Sequence, residues 1–108
     1  MTPAHMELLR RLVLNDERTL NQVMSGSTAG EHLLDDKTNA LVRIAGAFAS
    51  QASGTSLRWA VDGAHAAGAE DDEIVEVFLT IAPIVGAARV NAAAPGLAGA
   101  LGYELDEF

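Results

Sequence analysis

The stretch "SLRWAVDGAHAAGAEDDEIVEV", residues 56–77, decides the fold. At about 100° per residue, Leu57, Ala60, Val61, Ala64 and Ala67 share one side of a helix. Gly68 suits the left-handed position that closes a helix. Asp71, Asp72 and Glu73 then complement the positive end of a second helix dipole. The buried stripe of that second helix continues as Ile74, Val77, Phe78, Ile81 and Val85. Two amphipathic helices joined at a glycine are predicted, the first running from about Ser56 to Ala67.

The same helical period extends in both directions. Leu8, Leu9, Leu12 and Val13 form one stripe, and Leu20, Val23 and Met24 another. The turn-prone "SGSTAG" at 25–30 then interrupts the pattern. A helix opens at "LDDKT", capped by Asp35 or Asp36, with Leu41, Ile44, Ala45 and Phe48 on one face. "SQASGTS", 50–56, reads as a turn. Pro83 is expected to kink or break its helix, with Gly86 easing the bend. A last helix over roughly 88–101 carries Ala88, Ala92, Gly96 and Ala100 at intervals of four, and Pro95 would split it into two pieces. "GYELDEF" reads as an acidic tail that Tyr103, Leu105 or Phe108 could pin. No alternating strand pattern competes. The expectation is an all-α, compact multi-helix domain occupying 1–108.

Composition narrows the function. The 108 residues are 49% hydrophobic but only 5% aromatic, with Ala and Gly prominent. Small side chains bury little area each, at ~25 cal/mol per Å², so such a chain gains from burying surface against copies of itself. A homo-oligomer is expected. Fifteen acidic residues against seven basic ones give a net charge of −8. That charge opposes phosphate backbones and anionic membrane surfaces, and argues against nucleic acid and membrane as partners. The apolar run "IVEVFLTIAPIVGAARV" contains Glu76, Pro83 and Arg89, so it does not read as a membrane span. No signal peptide is evident at "MTPAHMELLRR", and a cytoplasmic chain is expected. With no cysteine at all, disulfide and thiolate chemistry are excluded.

Three stretches in order carry a resemblance. "LDDKTNALVRIA" at 34–45, the helix pair at 56–77 and "IVGAARVNAA" at 84–93 resemble the carboxymuconolactone decarboxylase and alkylhydroperoxidase D-like family. The match covers about 34–94. The resemblance implies a helical protomer assembled into a homotrimer or homohexamer, and one of two chemistries. The hydroperoxidase branch uses a Cys-x-x-Cys pair and a later histidine, which would fall at Ser53, Ser56 and Ala60. The decarboxylase branch is similar to Glu-Leu-Arg-x-His, where this chain has "SLRWA": Leu57 and Arg58 match, but Ser56 and Ala60 replace the proton-transfer pair. A serine hydroxyl without a base is negligibly ionised at neutral pH, and Ala60 can exchange no proton.

Other residues could carry chemistry. Arg58, Asp62 and His65 share one helix stripe. They suit a proton relay, with Asp62 orienting His65 and Arg58 holding a carboxylate, or else a solvated salt-bridge row. Ser56 can orient a ligand or cap its helix. Together with Ala60, Trp59 and Arg89 it outlines a candidate ligand site. Arg89 fits an acidic substrate or an ion pair, and Trp59 fits an intersubunit anchor. His5 and His32 have no second ligand at helical spacing, so no metal is expected, and nothing calls for a cofactor.

Two functional readings stand. One is a non-catalytic oligomer, structural or binding a small molecule such as an organic acid or lactone. The alternative is a small-metabolite lyase or isomerase that uses relocated proton-transfer residues, His65 foremost.

Overall fold

A computed structural model describes residues 1–26, 33–52 and 54–103. Among these residues all regular structure is helical, in six helices. Two compact units make up the chain, Met1–Leu33 and Leu34–Phe108, where the sequence reading draws one domain over 1–108.

The first unit holds α1 (Pro3–Val13) and α2 (Glu17–Met24), packed against each other. Thr2 caps α1 and Pro3 stands in its first turn, where a missing N–H costs nothing. Glu7 meets Arg10 at 2.7 Å and Arg11 at 3.0 Å. These guanidiniums hold its carboxyl down at about 2. The two apolar stripes belong to separate helices because the chain reverses at Asn15, in a left-handed conformation (φ 58°). Asp16 then caps α2 by accepting the Thr19 amide at 3.1 Å.

The second unit consists of α3 (Asp36–Ala49), α4 (Gly54–Ala66), α5 (Asp71–Val85) and α6 (Ala87–Ala100). Asp35 caps α3, accepting the Thr38 amide at 2.7 Å. α3 packs on both α4 and α5, and α6 closes over the same pair. Ile44, Phe48, Leu57, Val61, Ala64, Ile74, Phe78 and Leu97 are buried in the core. The stripes predicted on α3, α4 and α5 are the ones buried or half-buried. Ile44 and Ile74 are fully enclosed, each contributing about 1.5–3 kcal/mol. Phe48 meets Phe78 edge-on, with ring centroids 4.9 Å apart. Lys37 of α3 and Glu73 of α5 form a 2.6 Å ion pair across their helices.

The α4–α5 junction follows the sequence closely. Gly68 takes φ 93°. The Ala69 amide donates to the Ala64 carbonyl at 2.9 Å and the Gly68 amide to the His65 carbonyl at 3.0 Å. This is the Schellman pattern, with buried Ala69 folded onto buried Ala64. The same closure ends α6 at Gly102 and α3 at Gln51, where a non-glycine residue holds φ 59°.

Neither proline breaks its helix. α5 runs unbroken through Pro83, and α6 through Pro95. Both rings are exposed, so each sits on a solvent side while buried residues hold the opposite side of its helix. The break expected at Pro83 falls instead at Gly86. It is the one residue between α5 and α6, at φ 94° and ψ 154°, a region open essentially to glycine. α4 also starts two residues earlier than predicted, at Gly54.

Candidate functional site

α6 is bordered by a cleft on each side. The first, of about 380 Å³, lies between α4 and α6 and reaches the end of α3. Phe48, Leu57, Ala92 and Gly96 supply apolar and small walls, and its polar side chains are Gln51 and Arg89. Of the small-residue strip, Ala88, Ala92 and Gly96 line this cleft, while Ala100 packs against the core. Arg89 stands in the first turn of α6, and Gly54 places the start of α4 on the same wall. No carboxylate pairs with Arg89 among the described residues. No side chain caps α6. An exposed, unpaired guanidinium in the first turn of α6 favours an anion, and the positive end of the helix dipole adds to it.

Around Ser56 and Ala60 the surface is bland. Ser56 is exposed and Ala60 half-buried, packed against the core. Neither lines the cleft, although Leu57 between them does. Ser53 lies outside the described residues, as does His32. Trp59 is 72% exposed on the far side of α4.

Arg58, Asp62 and His65 are exposed on one stripe, but they form no relay. His65 pairs with Asp71 instead of Asp62: Nε2 lies 2.7 Å from Asp71 Oδ1. The Gly68 turn brings the start of α5 back over the end of α4, within reach of the imidazole. Each partner also suits its place, a base in the last turn of α4 and an acid in the first turn of α5. The other Asp71 oxygen accepts the Tyr103 hydroxyl at 3.3 Å, which ties Tyr103 to the start of α5. Leu105 and Phe108 are not among the described residues. Arg58 and Asp62 form no ion pair with any described residue. His5 contacts the Thr2 hydroxyl at 2.6 Å, within the α1 cap.

Sequence reasoning missed the Asp71–Tyr103 contact, which joins residues 32 positions apart and leaves no periodic trace. It also missed the second cleft, between α5 and α6, whose lining includes Asp71, Asp72 and Tyr103. Among the described residues no group of three or more His, Cys, Asp or Glu side chains is placed to hold a metal ion. No described helix is long and apolar enough to cross a membrane. No family model, curated protein or solved structure matches the chain.

Proposed function

We propose that this chain is a non-catalytic, self-associating protein that binds a small organic acid. It would be a carboxymuconolactone decarboxylase-like domain whose reactive positions have been replaced and whose residual function is recognition. The observation that carries the reading is Arg89, unpaired with any described carboxylate in an otherwise largely apolar cleft. A guanidinium takes a carboxylate as two parallel N–H···O bonds, and the apolar wall takes the body of the acid. Gln51 stands ready as a second hydrogen-bonding group. The positions that hold cysteines, glutamate or histidine in the family hold Ser53, Ser56 and Ala60 here, which supply neither a thiolate nor the usual proton-transfer pair.

Self-association draws support from the second unit's surface. Trp59 is 72% exposed, Ile84 82% and Val42 56%. Single exposed aliphatics are ordinary, but a tryptophan so open is typical of an interface anchor. A trimer or hexamer is the assembly the family resemblance implies.

The test is a titration of isotope-labelled protein with benzoate, with the matching lactone phthalide, and with neutral benzyl alcohol. Saturable shifts at Gln51, Arg89 and Ala92 are expected with benzoate, and Arg89→Gln should weaken it at least about tenfold, as loss of a charge-assisted pair does. Unchanged affinity in Arg89→Gln would refute the anion site.

The lyase or isomerase reading retains one favourable observation, the imidazole held by a carboxylate at 2.7 Å. Such a pairing fixes a tautomer and leaves the other ring nitrogen to exchange a proton. Turnover of a lactone or organic acid that disappears in His65→Ala would establish it over the binding role.

A further inference from the structure

The cleft between α5 and α6 has the opposite chemistry to the one at Arg89. Its volume is about 540 Å³, within the usual range of small-molecule sites. Val75, Phe78, Leu79, Pro95 and Leu97 give it an apolar body. No lysine, arginine or histidine lines it. Its charged groups are Asp71 and Asp72, together at one end beside Tyr103.

One of these two acids is already engaged: His65 Nε2 lies 2.7 Å from Asp71 Oδ1. The Tyr103 hydroxyl is directed to Asp71. Asp72 has neither an ion pair nor a side-chain hydrogen bond among the described residues. The α5 N-terminus offers roughly half a positive charge, which leaves the Asp72 carboxylate incompletely offset.

From this arrangement we infer a second binding site, for a small organic cation: a protonated amine on an apolar, ring-sized body. The body would fill the space between Val75, Leu79 and Pro95. The ammonium would lie at Asp72, with the Tyr103 ring alongside, a geometry that adds cation–π attraction. This site does not depend on the anion cleft, because α6 separates the two sets of lining residues.

The experiment uses the whole chain and 2-phenylethylammonium as probe, at low salt, with neutral 2-phenylethanol as its isostere. Amide shifts at Val75, Leu79 and Tyr103 should saturate, with the ammonium binding at least about fivefold tighter than the alcohol. Asp72→Asn, at an exposed position with no partner to lose, should abolish most of that preference. Ala94→Phe, which fills the cleft, should abolish binding of both probes, while Arg89→Gln leaves them unchanged. Equal affinity for alcohol and ammonium would overturn the proposal, as would the absence of saturable shifts. So would movement of the same resonances on dilution of the protein alone, because a second copy would then be the occupant.

Discussion

His65 Nε2 and Asp71 Oδ1 stand 2.7 Å apart, joining the end of α4 to the start of α5 across the Gly68 turn. The two side chains are 40% and 39% exposed. An ion pair that open contributes at most about 1 kcal/mol. His65→Ala is therefore expected to shift the urea unfolding free energy by less than about 1 kcal/mol. Oligomeric state and benzoate affinity should stay at their original values. A large loss of ligand affinity would instead place the imidazole in the binding machinery.

The Lys37–Glu73 pair sets an acid dependence. Lys37 first, and then the Glu70 amide, hold the Glu73 carboxyl below its ordinary 4.5. Its contribution is complete above 4.5 and is lost as pH falls through the lowered value. Lys37 is raised above 10.5, mainly by Glu73, so its share is complete below 10.5 and lost as pH rises through the raised value. Glu73→Gln keeps a side chain able to reach the Glu70 amide but removes the charge. Urea midpoints followed from about pH 7 to about pH 3 should fall less steeply in this variant than in the parent.

Phe78 anchors α5 on α3 through its edge contact with Phe48. Phe78→Ala should cost about 3–5 kcal/mol, a large part of the ~5–15 kcal/mol that holds a domain together. Phe78→Leu, closer in volume, should cost about 1 kcal/mol. Thermal melts by circular dichroism distinguish the two, and a Phe78→Leu melt equal to the parent's would mean the ring contact contributes little.

Trp59 makes its prediction through assembly rather than folding. Because the indole is 72% exposed in the protomer, Trp59→Ser should leave helix content unchanged. On the proposed self-association, sedimentation should show a weaker oligomer than the parent's, dissociating at higher protein concentration. An unaltered sedimentation profile would count against Trp59 as its anchor.

What the sequence made legible was local. Helical periodicity marks Ile44, Phe48, Leu57, Val61 and Ile74 as buried, since their spacing alone brings them to one side. Gly68 and Asp35 announce their turn and cap for the same reason: both are short-range backbone requirements. The sites were not legible in this way. Asp62 is the nearer candidate for His65 along the helix, and only the direction of the chain after Gly68 gives that role to Asp71. Arg89 acquires meaning from the packing of α6 on α4, which no interval in the sequence records. The prolines misled because a helix held by its buried face tolerates one missing bond on its exposed face.

Gln51 ends α3 in the left-handed conformation that glycine fills at Gly68 and Gly102. Its side chain also reaches the wall of the Arg89 cleft. A residue with a Cβ incurs about 1 kcal/mol in that conformation. Laboratory evolution for heat resistance alone should drift this position to glycine, whereas evolution under demand for ligand retention should keep the amide. The two lineages would diverge first at this one codon.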